Sequence, residues 1–154
     1  MTKKNILLTG ASGTVGFEAL KQLIAKNSYN ITVFDKESKQ AVEKFSSFKD
    51  QVKIIYGDIS VESDLHSIKD IDYVIHLAAI IPPVADDFPE LAKKVNLIGT
   101  QNLIKQLELY SPNAFFLYSS SISVYGDRIE NPWINVGNVL HPSEGDYYAE
   151  TKIL

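Results

Sequence analysis

The 154-residue sequence contains no cysteine. That absence removes any disulfide framework and any thiolate metal site, and it fits an intracellular compartment at least as well as a secreted one. Basic charge is not in excess either. With a net charge of -4 and a pI near 5.3, no basic stripe is available to neutralise a phosphate backbone, so nucleic acid is not an expected partner. Long apolar runs are missing as well. The segment Met1-Thr2-Lys3-Lys4-Asn5 leads into only a few apolar residues before Thr9-Gly10, too short for a signal peptide or a membrane span. The expectation is a cytoplasmic protein without a membrane partner. His66, His76 and His141 lack metal-like partner spacing, so no metal is expected.

What is present is enough apolar sequence, 45%, for one compact domain with a real core. Short β-rich runs alternate with helical periodicity and no repeat intervenes, the pattern of βα units around a parallel sheet covered on both faces. Strands are predicted at Asn5–Thr9, Ile31–Phe34, Val52–Tyr56, Tyr73–Leu77 and Ala114–Tyr118. Helices are predicted at Thr14–Lys26, with Val15, Ala19, Leu20, Leu23 and Ile24 inward, and at Ser38–Phe48, with Ala41, Val42 and Phe45 inward. Ser60 is read as the cap of a short helix. After Pro82-Pro83 a long helix from about Asp87 to Tyr110 would bury Leu91, Val95, Leu103, Ile104 and Leu107. A surface loop then runs to Tyr147, where helical propensity resumes until Leu154. Right-handed crossovers give the order 3-2-1-4-5, a Rossmann-type doubly wound α/β sheet in three layers. A sixth strand is expected and lacking, so the chain reads as the incomplete cofactor domain of a longer protein, without a substrate domain.

Gly10-Ala11-Ser12-Gly13-Thr14-Val15-Gly16 links the first strand to the first helix. A pyrophosphate needs backbone N–H groups aimed at it, no Cβ in the way and the positive end of a helix dipole. Gly10 allows the tight turn, Gly13 the approach of the phosphates, and Gly16 close packing of helix on sheet, while Ser12 and Thr14 add hydroxyls. Asp35 ends the second strand about 20 residues beyond Gly16, where the dinucleotide fingerprint places an acid for the ribose hydroxyls. Its charge repels a 2′-phosphate, so NAD is expected over NADP. Lys36 and Lys39 close by soften that preference.

Several ordered motifs carry a resemblance: the Gly-x-x-Gly-x-x-Gly turn, Asp58-Ile59 after strand three, His76-Leu77-Ala78-Ala79 after strand four, and Tyr148-x-x-x-Lys152. The run Ser119-Ser120-Ser121-Ile122-Ser123-Val124-Tyr125-Gly126-Asp127 adds to it. The chain resembles the extended short-chain dehydrogenase/reductases, most closely their NAD-dependent epimerase/dehydratase branch acting on nucleotide sugars, over nearly its whole length. The resemblance implies that Asp58 binds the adenine amino group with Ile59 against the ring. It further implies that Leu77, Ala78, Ala79 and Ser119 line the nicotinamide ribose and pyrophosphate path, and that Asn96 orders the site. It also implies a homodimer for the full-length protein, which is doubtful for this portion.

Tyr148 and Lys152 lie four apart and share one helix face, so the ammonium can approach the phenol. A tyrosine titrates near 10 in isolation, and a cation beside it, with the positive nicotinamide, would favour the phenolate of a general base. Lys152 would also hold the nicotinamide ribose. Ser121, at the C-terminal end of strand five, would polarise the substrate oxygen, with Ser120 and Ser123 as nearby alternatives. The reaction this implies is proton removal from a sugar hydroxyl by Tyr148 with transient hydride transfer to bound NAD. Epimerisation, dehydration and simple redox remain open outcomes. So do two other readings: a reductase or hydroxy-dehydrogenase of another alcohol or ketone, and a non-catalytic dinucleotide-binding module. The isolated portion is expected to be inactive.

Overall fold

The computed structural model describes residues 2–129 and 132–153. In chain order its elements are β1 (Lys4–Thr9), α1 (Thr14–Lys26), β2 (Tyr29–Asp35), α2 (Lys39–Phe45), β3 (Lys53–Tyr56) and β4 (Tyr73–His76). There follow α3 (Val84–Asp87), α4 (Pro89–Ala92), a π-helical stretch (Lys93–Gly99), α5 (Thr100–Tyr110), β5 (Phe115–Tyr118) and α6 (Tyr147–Ile153). Leu154, where the last helix was predicted to stop, lies outside the described residues. The chain separates into two compact units, Met1–Ala78 with Gly99–Ser119 and Ala79–Ile98 with Ser120–Leu154.

The first unit holds the sheet. All four strand pairings are parallel and the order is β3-β2-β1-β4-β5, as expected for a Rossmann-type fold. β1 is the central strand, and its Leu7 and Leu8 are fully buried because both faces of a central parallel strand are covered. Over β1 and β2, Leu8, Ile31 and Val33 pack with Leu20, Ala41 and Phe45 of α1 and α2. Each of the larger side chains contributes about 1.5–3 kcal/mol by leaving water. β4 and β5 differ between faces. Val74 and His76 are buried, whereas Tyr73, Phe115 and Leu117 on the opposite face are exposed. Among the described residues β5 has a neighbour on one side only, β4, and lies at the edge of the sheet.

Four helix positions predicted to face inward do not. Val15 is 68% exposed, and Val42, Leu91 and Ile104 are exposed too. Each stands one residue, about 100° of helix, from a buried neighbour: Gly16, Ala41, Ala92 and Leu103. The strip buried along the long helical segment instead includes Asn96, Asn102 and Gln106. Their amides reach backbone groups, with Asn102 Nδ2 donating to Ile59 O at 3.4 Å and Gln106 Nε2 to Ile68 O at 2.9 Å. That segment also starts differently, because Phe88 at φ -135 and ψ 68 separates α3 from α4 and Pro89 opens α4.

Ser60 caps nothing. The short 3-10 turn Glu62–Leu65 begins after Val61 without a side-chain cap, and Ser60 turns back to Asp58, its N and Oγ donating to Oδ1 at 2.9 and 2.6 Å. An aspartate two residues upstream offers a charged acceptor, and a charge-assisted bond is stronger than a neutral cap.

In the second unit α6 packs on α3, on α4 and on the 3-10 turn Ile122–Tyr125. Asp146 starts α6, its Oδ1 accepting the N–H of Ala149 at 2.8 Å. A carboxylate there satisfies an orphan amide and complements the helix dipole.

Candidate functional site

The glycine-rich segment forms a tight turn between β1 and α1. Gly10 has φ +70, and a Cβ there would stand 2.6 Å from Ala78 N. At Gly16 a Cβ would run into the Gly10 carbonyl and come within 2.8 Å of Ala11 Cα. The protein's own packing therefore demands glycine at both positions. Gly13 is different: it sits at φ -69, and a Cβ would meet only Gly10 O at 3.4 Å, an ordinary contact. Among the described residues nothing requires glycine there, so the missing Cβ leaves room for something else. Gly13 is also the N-cap of α1, no side chain caps the helix, and its first turn holds no acidic residue. Uncapped amides, a positive dipole end and an open cradle fit a bound pyrophosphate. Thr14 and the exposed Val15 flank that opening.

Asp35 closes β2 and is buried, at 9% exposure. Its Oδ2 accepts Ser12 N–H at 2.7 Å and its Oδ1 accepts Lys36 N–H at 2.8 Å. A carboxylate has about four lone-pair sites, so acceptor capacity remains for ribose hydroxyls. Lys36 is exposed, with its Nζ 3.6 Å from Asp58 Oδ2, and Lys39 pairs with Glu43 at 4.0 Å. Asp58 is anchored by its own N–H donating to Asp64 Oδ2 at 2.8 Å. Ile59 beside it is buried, and Gly99 makes room for it, since a Cβ at Gly99 would stand 2.5 Å from Ile59 Cγ2.

Leu77 and Ala78 follow β4. Thr9 Oγ1 accepts the N–H of both, each at 3.2 Å. With its lone pairs so engaged, the Thr9 hydroxyl proton points to His76 Nδ1 at 2.7 Å, which leaves His76 Nε2 to donate to Thr100 Oγ1 at 2.8 Å. His76 is fully buried and stacks on Tyr118. Ala79 and Ser119 are half-buried at the ends of β4 and β5.

The second unit carries the remaining candidates. Asn96 is 2% exposed on the π-helical stretch, not on a helix surface. Its Oδ1 accepts Ile80 N–H at 2.7 Å, and its Nδ2 donates to Ile80 O and to Thr151 Oγ1, both at 2.9 Å. Thr151 in turn donates to Tyr148 O at 2.7 Å. Asn96 thus ties the segment after β4 to the helix that bears Tyr148. Lys152 Nζ lies 5.5 Å from the centre of the Tyr148 ring, a cation over an aromatic face. Ser121 begins the neighbouring turn, its Oγ accepting Ser123 N–H at 3.2 Å and lying 2.8 Å from Ser123 Oγ. If Ser123 donates across that pair, the Ser121 proton is free for a substrate oxygen. Ser120 is exposed beside it.

The sequence pattern of the 3-beta hydroxysteroid dehydrogenase/isomerase family matches residues 7–154. The chain belongs to that family. Its motifs are those of an extended short-chain dehydrogenase/reductase. Among its relatives is the human sterol-4-alpha-carboxylate 3-dehydrogenase, decarboxylating, 32% identical over 98% of this chain and 38% of the relative. Another is the UDP-glucose 4-epimerase of Vibrio cholerae, 33% identical over 94% of this chain and 43% of the relative. The solved UDP-glucose 4-epimerase of Thermotoga maritima, holding UDP-glucose, superposes with a TM-score of 0.82 at 26% identity, covering 97% of this chain and 48% of that one. This family member spans less than half the length of those relatives.

Electrostatics at the pair run against the simple expectation. Burial raises the Tyr148 phenol above its ordinary value, and the charge of Asp146 raises it further. Burial also lowers Lys152 from 10.5 to about 8. Below pH 8 both the folded and the unfolded chain hold the Lys152 proton, and the folded state bears the full cost of burying it. From about 8 to 10.5 the unfolded chain binds more protons, so stability rises with pH. At 1.36 kcal/mol per pH unit the effect is at most about 3 kcal/mol, and solvent screening reduces it. Lys152→Met, which keeps the apolar stem, should therefore stabilise the ligand-free chain at pH 7 by about 1–3 kcal/mol and flatten its rise toward pH 10. Urea unfolding at the two pH values reads this directly. A less stable Met variant at pH 7 would refute it.

Sequence reasoning missed the supports around these groups. Asp146, Thr151, Asp64 and Thr9 are ordinary turn, helix and strand residues by type. Only Asp146 carried a signal, an acid just ahead of a helix.

Proposed function

We propose that this chain carries the dinucleotide-binding and proton-transfer groups of an NAD-dependent enzyme that oxidises a carbon bearing a hydroxyl, with a nucleotide sugar as substrate. The observation that carries the reading is the Tyr148–Lys152 pair on α6, beside the Ser121 turn, in a chain that also holds an open glycine cradle ending at a buried Asp35.

Bound NAD would supply the two-electron acceptor for the carbinol carbon. Gly13 and the first amides of α1 would take the pyrophosphate, Asp35 the adenosine ribose hydroxyls, and Asp58 with Ile59 the adenine. Lys152 would donate to the second ribose and keep a positive charge by the phenol. Ser121 Oγ would donate to the substrate oxygen while Tyr148 Oη accepts the hydroxyl proton as the carbon–oxygen bond gains double-bond character. In the reverse direction Tyr148 returns the proton. Tyr148 starts with its phenol held neutral, so both cations near it would have to act before it serves as a base.

A second reading is favoured by the human relative, which matches nearly all of this chain under a sterol dehydrogenase name. Turnover assays of the full-length protein with UDP-glucose and with a 4α-carboxysterol separate the two. For the cofactor, calorimetry should show NAD binding at least tenfold tighter than NADP, because a 2′-phosphate would meet the Asp35 carboxylate. Tighter binding of NADP would overturn the assignment.

A further inference from the structure

The backbone on either side of Ser12 is held by two side chains from other elements. Its N–H donates to Asp35 Oδ2 at 2.7 Å, and its carbonyl accepts the ammonium of Lys44 at 2.6 Å. The N–H of a residue belongs to the peptide plane before it and the carbonyl to the plane after it. Because each plane is rigid, fixing both fixes φ and ψ of the residue between. The second of these planes also contains the N–H of Gly13. Asp35 and Lys44 therefore set the direction of the backbone that enters the open glycine.

Lys44 is well placed to do this. Ala41 and Phe45 are buried and fix the roll of α2, and Ser38 caps its start by accepting Ala41 N–H at 3.0 Å. The ammonium also sits 5.2 Å from the centre of the Phe17 ring, which meets Phe48 edge-on at 5.9 Å. Among the described residues Lys44 makes no ion pair. Its charge is committed to a carbonyl of the glycine turn, where it adds to the positive end of α1.

We infer that Lys44 is a positioning residue for the dinucleotide: with Asp35 it locks Ser12, and so sets where Gly13 and the uncapped start of α1 meet the pyrophosphate. This rests on the dinucleotide reading above. It also gives Asp35 a second duty, so cofactor choice and turn geometry are coupled through one carboxylate.

The test uses the 154-residue chain with Lys44→Met and Lys44→Arg variants, titrated with NAD by calorimetry and with adenosine by amide NMR. Loss of a charged hydrogen bond at the turn should weaken NAD binding about tenfold in Lys44→Met. Adenosine, which lacks phosphates, should bind within about twofold of wild type, and Arg should recover most of the loss. In the ligand-free Met variant the Ser12 and Gly13 amide resonances should move while the melting temperature holds. Equal NAD affinity in wild type and Lys44→Met overturns the inference and leaves the dinucleotide reading standing. Parallel loss of NAD and adenosine also overturns it, marking a general structural role. Failure of the wild-type chain to bind NAD overturns both.

Discussion

Tyr148→Phe in the full-length protein should lower kcat by about 10²- to 10⁴-fold, the usual worth of a positioned general acid or base, and leave NAD affinity within about twofold. The ring is retained, so the cation lying 5.5 Å from its centre keeps its partner and α6 keeps its packing. Only the phenolic oxygen is lost. Steady-state kinetics with a calorimetric check on NAD binding measures both halves. The neighbouring Tyr147 gives the control: it is exposed at the start of α6 and has no lysine four residues on, so Tyr147→Phe should leave kcat unchanged. Equal activity of Tyr148→Phe and wild type would remove Tyr148 from the chemistry.

Gly10→Ala should unfold the cradle rather than merely disturb it. An alanine at φ +70 costs about 1–2 kcal/mol in backbone strain, and a Cβ 2.6 Å from Ala78 N adds an overpacking cost of about 1–3 kcal/mol. Together that is about 2–5 kcal/mol, a large share of a domain's stability. NAD binding should be lost with it, since the Leu77–Ala78 backbone has to shift. Gly13→Ala makes the informative contrast. There the new methyl meets only Gly10 O at 3.4 Å, so stability should change by under about 1 kcal/mol, yet the methyl enters the space proposed for phosphate and NAD binding should fall at least tenfold. Urea unfolding and calorimetry on the two variants test the pair. If Gly13→Ala bound NAD normally, the open side of the cradle would not be the phosphate site.

The geometry of the glycine turn was legible in advance. Its demands are local: a left-handed residue, a close helix–strand approach and an uncapped helix start all fall within seven consecutive residues. The sheet order was legible for a related reason, because strictly alternating β and α runs with right-handed crossovers leave few topologies. The phase of the long helix was not legible. Apolar periodicity selected Leu91 and Ile104, but the buried strip passes through Asn96, Asn102 and Gln106, whose amides satisfy backbone groups far away in sequence. A polar residue that finds partners only after folding looks like surface beforehand. Ser60 failed as a cap for a local reason: Asp58, two residues upstream, competes as a charged acceptor for its N–H and hydroxyl.

The proposed catalytic pair falls between these cases. The spacing of Tyr148 and Lys152 put them on one helix face, and that much the structure reproduces. Their electrostatics depend on burial and on Asp146, neither of which spacing conveys.

By itself the amino-acid sequence determined the order of strands and helices, the glycine turn, the acid after β2 and the pairing of tyrosine with lysine, because each follows from contacts within one turn or from the periodicity of one element. Only the tertiary structure decided that Lys44 reaches Ser12, that Asn96 secures the helix carrying Tyr148, and that burial moves the protons of Tyr148 and Lys152. Those outcomes depend on which groups lose water and meet partners far along the chain, and that is settled only when the elements pack.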